Sequence, residues 1–306
     1  MTNSTPFGAW HDRPALVILL GLLGFVFFSG LGALLAGILT EAQGINVQEL
    51  LSGGERTLSL GERNGLRYYN LVAHVLGFMI STALVILVVK QNQSWSRYAG
   101  LDRWPMRLSI GIGLLIVLVG FPFIQGVYYL NQLLPLPESM LSLESQQVWL
   151  VREILRMEAP SELGLALLVA AVAPALGEEL LFRGLLQPRM QQVTGSAQLG
   201  IWLTAFLFSA IHLQFAGFLP RLLLGAFLGY AYWWSRTLWL SIILHFFYNG
   251  FQVLAAYFMP DDMQIEAVAS EMNPWEVLPL AALSGLLMYG LLHYWRRVVV
   301  AEHTRE

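Results

Sequence analysis

The sequence predicts an all-α protein, a polytopic bundle of transmembrane helices. Only 12% of its 306 residues are charged and 56% are hydrophobic, whereas a soluble domain carries about 25% charged residues. The mean hydropathy is +0.59, and long apolar segments recur along the whole chain. The net charge of -3 argues against nucleic acid as a partner, and the absence of cysteine excludes disulfides and thiolate chemistry.

About eight segments are long enough to cross a hydrocarbon core of roughly 30 Å, which takes about 20 apolar residues. They span approximately 14–39, 69–89, 108–130, 162–192, 198–218, 221–235, 237–258 and 275–295. The first is too long for a signal-peptide core and has no A-x-A site after it, which predicts a retained span. The sixth is short, and Pro220 separates it from the fifth, so this pair need not form two full spans.

The segment 138–159 mixes apolar and charged residues and is not apolar enough to span a membrane. It is typical of an amphipathic helix at the outer membrane interface. A solvated loop helix fits the same pattern equally well, so the sequence leaves both interpretations open.

The distribution of basic residues predicts the orientation of the chain, because Lys and Arg concentrate in cytoplasmic loops. The loop 90–107 and the C-terminal end are basic, whereas the loop 259–274 carries four acidic residues and no basic one. Both termini are therefore expected in the cytoplasm, with Arg221 at an outer turn as the exception. The short loops favour a prokaryotic cytoplasmic membrane, with membrane lipid as the surroundings.

Two adjacent carboxylates, Glu178 and Glu179, lie in the middle of the fourth apolar segment. A charge at the bilayer centre costs about 2.5–3.5 kcal/mol on insertion scales, so such groups are functional candidates. Glu179 and Arg183 are spaced i, i+4 with the acid first, the favourable order for a helical ion pair. Pro174 removes the N–H partner of the Ala170 carbonyl, which a membrane tolerates only where another group satisfies that carbonyl.

Later segments add further polar groups at helical spacing. Phe208 and His212 are i, i+4 in the fifth segment, and His245 and Asn249 are i, i+4 in the seventh. Burying so many polar groups on three helices is costly without a function, and we expect them to share one depth and one site.

Two other features receive a structural interpretation. His74 and His293 have no polar partner at helical spacing and are expected to be packing groups. Gly225 and Gly229 form a small-residue face that brings the sixth segment close to a neighbouring helix, which we interpret as ordinary helix packing.

Glu178-Glu179-x-x-x-Arg183, Phe208-x-x-x-His212 and His245-x-x-x-Asn249 resemble the three motifs of the CPBP intramembrane proteases. That family includes the type II CAAX prenyl endopeptidases and bacterial relatives linked to bacteriocin processing and immunity. The resemblance covers roughly 160–255. It implies that Glu178 activates water and His212 completes the water site, that His245 and Asn249 stabilise the oxyanion, and that Glu179 and Arg183 orient the site. Phe208 is the candidate substrate contact.

The resemblance predicts a conical intramembrane cavity, which we expect to open to the cytoplasm because water must reach the site. It divides the chain into N-terminal helices at 1–159, a catalytic core at 160–258, and a last helix with a tail at 259–306. No cofactor is certain. A zinc ion on Glu178, His212 and His245 is one alternative. Metal-free hydrolysis with a His and Asn oxyanion hole is the other, and it is slightly favoured.

Three functions remain open. The first is an intramembrane endopeptidase that cleaves a membrane-associated or prenylated CAAX-type peptide or protein. The second is a proton-coupled carrier with Glu178, Glu179 and His212 as a relay, although the sequence shows no inverted repeat of the kind carriers use. The third is a non-catalytic membrane scaffold or immunity protein, which an intact set of motifs disfavours.

Overall fold

A computed structural model describes residues 13–52, 56–90, 92–259 and 273–303. Within these ranges the chain consists of helices and connecting turns, with no β-strand, which confirms the all-α fold class. The acidic residues of the 259–274 loop and the basic residue Arg305 lie outside the described residues.

The helices differ widely in length, and two of the longest contain π-helical stretches. Those stretches are Val75–Ile80 in α3, and Leu168–Val172 and Leu180–Leu186 in α7; such turns are rare and frequent at functional sites. The helices of the described ranges are α1 Pro14–Glu41, α2 Val47–Ser52, α3 Leu60–Val89, α4 Trp95–Tyr98, α5 Arg107–Gln132, α6 Glu138–Leu155, α7 Pro160–Thr194, α8 Ala197–Ala210, α9 Phe218–Ser235, α10 Leu238–Phe258 and α11 Pro274–His303.

Six of the described helices are long and apolar enough to cross a membrane, namely α1, α3, α5, α7, α10 and α11. This confirms a polytopic bundle, but not the predicted count of about eight spans. Helix α8 has 14 residues and is about 21 Å long at 1.5 Å per residue, which is short of the hydrocarbon thickness. Helix α9 has 18 residues and is likewise not among the six.

Tight reversals make the consecutive helices α7 to α10 antiparallel. Gly195 adopts a left-handed conformation with φ 64° directly after α7, and the side chain of Ser196 accepts a hydrogen bond from the first turn of α8. Arg236 repeats the left-handed turn with φ 54° after α9, and Thr237 caps α10. These residues follow the usual pattern of a left-handed residue after a helix and a hydroxyl before the next.

The amphipathic segment forms helix α6, which lies across one end of the bundle. The Glu144 carboxylate accepts hydrogen bonds from the backbone N–H groups of Phe215 and Ala216, both in the turn between α8 and α9. Trp149 and Ile154 pack into a buried cluster with residues of α2 and α3. Helix α6 is thus fastened to the bundle by polar and apolar contacts.

A buried ion cluster joins α3 to the first turn of α7. Arg63 and Arg67 donate to the Glu162 carboxylate over 3.0 and 2.7 Å, and all three side chains are almost fully buried. Arg67 also donates to the carbonyl of Ile154 at the end of α6. Removing one partner of a buried ion pair costs about 3–5 kcal/mol, so this cluster fixes how α3, α6 and α7 meet.

Candidate active site

The paired carboxylates lie halfway along α7, between its two π-helical stretches. Glu178 is 6% exposed and Glu179 is fully buried. Their surroundings differ because consecutive helical residues point about 100° apart. Glu178 lines a cavity of about 990 Å³, whereas Glu179 points into the protein. The i, i+4 pairing of Glu179 with Arg183 predicts this difference, because it leaves Glu178 as the freer carboxylate on another face of the helix.

Glu179 is the acceptor at the centre of a buried hydrogen-bond network. Its Oε1 accepts from Arg183 Nη1 over 2.6 Å and from His245 Nδ1 over 2.8 Å. Arg183 Nη2 donates in turn to the carbonyl of Gly225 over 2.8 Å. The predicted ion pair between Glu179 and Arg183 therefore forms, and it links α7 to both α9 and α10.

The carbonyl that Pro174 deprives of its helical partner is satisfied by a side chain. Asn249 Nδ2 donates to the Ala170 carbonyl over 3.1 Å. The same nitrogen lies 3.2 Å from His245 Nε2. Because the carbonyl can only accept, the amide must present its nitrogen there, and its second hydrogen faces the imidazole.

This arrangement defines the tautomer of His245. Nδ1 carries the proton that is donated to Glu179, and Nε2 accepts from Asn249. Glu178 Oε2 lies 4.0 Å from His245 Nε2, too far for a direct hydrogen bond.

His212 lies in a different local structure from the one predicted. Helix α8 ends at Ala210, so the fifth segment does not continue as a helix to 218, and His212 belongs to the following turn. Its Nδ1 is 2.7 Å from the Phe208 carbonyl, which makes Nδ1 the donor and leaves Nε2 as the nitrogen open to other partners. The apolar sequence gave no signal that the helix ends here.

The ring of Phe208 is the packing centre beneath these groups. It lies 5.2 Å from the His212 ring and 5.9 Å from the His245 ring, centroid to centroid. The Arg183 guanidinium carbon lies 4.7 Å from its centroid. Phe208 is only 1% exposed, so what it offers to the cavity is an edge of the ring.

The cavity brings most of the predicted site residues together. Its wall includes Glu178, Phe208, His212, His245 and Asn249. Glu179 and Arg183 are not in the wall and lie directly behind it. The remaining wall comes from α3, α5, the end of α6 and the start of α9.

His74 is a wall residue that the sequence analysis interpreted as a packing group. Its Nε2 donates to the Ala173 carbonyl over 3.1 Å, and its ring stacks on Phe78 at 4.3 Å. A Cβ at Gly177 would lie 3.0 Å from His74 Nε2. His74 does pack, but it packs on the turn that carries Glu178. Its partner is 99 residues away in sequence, so no helical spacing could have indicated it.

Gln187 was also missed, although a signal was available. Its Nε2 donates to the Gly229 carbonyl over 2.9 Å, one turn along from the bond between Arg183 and Gly225. Residues 179, 183 and 187 repeat at intervals of four on one face of α7. The two glycines bring the α9 backbone close enough for its carbonyls to accept from α7, which confirms the predicted close approach.

The geometry of the described residues does not favour the alternative of a zinc ion on Glu178, His212 and His245. Among the described residues, no group of three or more His, Asp or Glu side chains could hold a metal ion. The reason is visible at His245, whose two nitrogens are engaged by Glu179 and Asn249. Glu178 and His212 alone do not form an open three-ligand site.

Comparison with known families identifies this region. Residues 160–251 match the family described as Type II CAAX prenyl endopeptidase Rce1-like. Through this segment the chain is similar to the CAAX-type intramembrane proteases. The matched segment runs from the start of α7 into α10 and contains all the motif residues. It supports a membrane-embedded protease in general, and α1 to α6 and α11 lie outside it. Searches of curated proteins and of solved structures returned no match.

Proposed function

We propose that this CAAX-type protease is an intramembrane endopeptidase that uses Glu178 to activate water and needs no metal ion for the step. The main support for this proposal is that the two adjacent carboxylates have different surroundings. Glu179 is neutralised by Arg183 and bonded to His245, whereas Glu178 alone of the two faces the cavity. A general base must lie within hydrogen-bond reach of the water it deprotonates, which only Glu178 offers.

In the first step, a water molecule between Glu178 and His212 loses a proton to the Glu178 carboxylate. The water oxygen bonds to the carbonyl carbon of the substrate, and the carbonyl electrons move onto oxygen to give an oxyanion. His212 holds the water through Nε2, because Nδ1 is committed to the Phe208 carbonyl. In the second step the tetrahedral carbon expels the amine, which takes the proton from Glu178.

The oxyanion is stabilised from α10. One amide hydrogen of Asn249 is held by Ala170, and the other lies on His245 Nε2, from which it turns to the oxyanion. Preorganised donors of this kind contribute about 100- to 1,000-fold to rate. His245 and Glu179 hold the amide in place, and the edge of Phe208 is the candidate contact with a substrate side chain.

The substrate is a peptide bond in a membrane-associated or prenylated CAAX-type peptide or protein. A cavity of about 990 Å³ is large enough for several residues of an extended peptide, and typical ligand sites span about 300–1,000 Å³. The apolar bundle around it suits a substrate that reaches the protease from the lipid.

The test is proteolysis by purified protein in liposomes, comparing wild type with Glu178→Gln. A peptide panel that includes farnesylated CAAX peptides serves as substrate, with and without a strong chelator. We expect the substitution to lower kcat by at least about 100-fold, since general-base catalysis contributes about 10²–10⁴-fold. The matched control is Glu138→Gln, an exposed acid at the start of α6, which should leave the rate unchanged.

Two results would count against the proposal. Inhibition by the chelator, reversed by zinc, would replace the metal-free step with metal-assisted hydrolysis. Equal behaviour of wild type and Glu178→Gln on every peptide, with both proteins folded, would remove the protease function. A carrier or a scaffold would then be the better explanation.

A further inference from the structure

We infer that the catalytic cavity opens to the non-cytoplasmic face of the membrane, so that the substrates are peptide segments presented from that face. That these peptides are substrates rests on the proposed function, whereas the direction in which the cavity opens does not. The inference combines the position of the cavity along the bundle with the distribution of basic residues between the two ends.

The cavity occupies the half of the bundle nearest one end. This end, called the cavity end, contains the last residues of α1, α5 and α10, the first residues of α3 and α7, the whole of α6, and the turn between α8 and α9. On α5 the wall is formed by Phe121, Ile124, Gln125 and Tyr128, all in the half that approaches α6.

The other helices show the same bias. On α7 the wall ends at Glu178, halfway along, and on α9 it ends at Leu224, in the first half of the helix. On α10 it runs from His245 to Ala256, towards the helix end. The final wall residues belong to α6 and to the stretch that follows it, from Val148 to Glu158. In the helix halves nearer the opposite end, the described wall includes only Phe78, Glu178 and His245, each within a few residues of the middle of its helix.

The opposite end carries most of the basic residues. It contains the start of α1, the loop between α3 and α5, the turn between α7 and α8, the turn between α9 and α10, and the end of α11. Its described Lys and Arg residues are Arg13, Lys90, Arg97, Arg103, Arg107, Arg189, Arg236, Arg296 and Arg297.

The basic residues of the cavity end are fewer and mostly paired. Arg63 and Arg67 are buried against Glu162, and Arg56 pairs with Glu62. Arg156 pairs with Glu158 over 3.0 Å, Arg221 donates to the carbonyl of Gln214 over 3.1 Å, and Arg152 completes the described set. Because Lys and Arg near span ends concentrate on the cytoplasmic side, the opposite end is cytoplasmic and the cavity end is not.

Cytoplasmic termini and a cavity that opens to the cytoplasm were both expected from the sequence, and these two expectations are incompatible. The same loops that place both termini in the cytoplasm place the cavity on the far side, so a cavity that opens to the cytoplasm does not fit. Peptides that reach the membrane from outside the cytoplasm, including exported segments, therefore fit the site better than cytoplasmic chain ends.

Single-cysteine labelling tests the inference directly, because the natural chain has no cysteine. Gln43→Cys marks the exposed turn after α1 at the cavity end, Asn92→Cys marks an exposed residue of the opposite end, and Gln125→Cys marks the cavity wall. Each variant is expressed in bacteria, and right-side-out membrane vesicles are treated with a membrane-impermeant maleimide before and after detergent opening. The unmodified chain gives the background.

We expect Gln43→Cys and Gln125→Cys to be labelled in sealed vesicles, and Asn92→Cys only after opening. The inference is overturned if Asn92→Cys is labelled in sealed vesicles, or if Gln125→Cys requires opening. A cleavable peptide added outside the vesicles then tests from which side a substrate reaches the cavity. We expect cleavage with right-side-out vesicles and none with inverted vesicles. Should no peptide be cleaved on either side while the labelling pattern holds, the protease function fails and the orientation of the cavity stands.

Discussion

At Gly177, the residue before Glu178, α7 lies close against α3. A Cβ built there lies 2.9 Å from the Cβ of Phe78 and 3.0 Å from His74 Nε2. The Phe78 atom is the first of its side chain, so a rotamer change cannot move it away, and the backbone of α3 or α7 must shift. We therefore expect Gly177→Ala to destabilise the protein and to displace Glu178.

Two opposing effects determine the size of this change. Overpacking a tight contact costs about 1–3 kcal/mol, while alanine in place of glycine within a helix gains about 0.5–1 kcal/mol. The net loss of unfolding free energy is then about 0.5–2 kcal/mol. The effect on rate is larger, because a displacement on the order of 1 Å at a catalytic group can cost about 100-fold.

The measurements are thermal unfolding in detergent and kcat on a cleavable peptide. Gly164→Ala is the matched control, because Gly164 lies in the same helix and a Cβ there meets nothing within 4 Å. It should be neutral or slightly stabilising, with an unchanged rate. Equal stability and equal kcat for the two alanine variants would refute the idea that the contact with α3 positions Glu178.

Three further substitutions follow from other contacts of the site. Arg183→Met leaves Glu179 buried without its cation and should cost about 3–5 kcal/mol of unfolding free energy, measured by thermal unfolding in detergent. His74→Leu removes the donor to the Ala173 carbonyl and should lower kcat about 10- to 100-fold with KM nearly unchanged, while His74→Gln keeps a donor and restores most of the rate. Glu144→Gln weakens the bonds that hold the turn between α8 and α9 and should cost about 1–2 kcal/mol in the same unfolding measurement, since hydrogen bonds to charged groups contribute about 1.5–3 kcal/mol.

Each of these substitutions has an exposed counterpart in the same chain. Arg297→Met, His293→Leu and Glu138→Gln change exposed residues of the same three types and should leave stability and rate unchanged. An equal loss in any matched pair would show that the effect comes from the residue type and not from the site.

The sequence was sufficient for the parts of the site that depend on local spacing. The ion pair between Glu179 and Arg183 follows from helical geometry, and the need to satisfy the Ala170 carbonyl follows from Pro174. The identity of the group that does so, Asn249, required the packing of α10 against α7. Spacing within one helix carries no information about such a partner.

Other features depended on contacts that the pattern of apolar residues conceals. The end of α8 at Ala210 falls inside the predicted fifth segment, so His212 was placed in a helix when it belongs to a turn. The role of His74 depends on a partner from another helix. The count of about eight spans stays a prediction for a related reason, because α8 and α9 are apolar but short.

The division of the cavity wall between two parts of the chain has a consequence for how this protein can diversify. Every group to which the proposed mechanism gives a role in proton transfer or oxyanion stabilisation comes from α7 to α10, within the segment that matches the family model. Much of the remaining wall comes from α3, α5 and α6, which lie outside it. Mutations in these outer helices can reshape what the cavity accepts while the reaction chemistry is inherited unchanged, so selectivity and catalysis are free to evolve at different speeds.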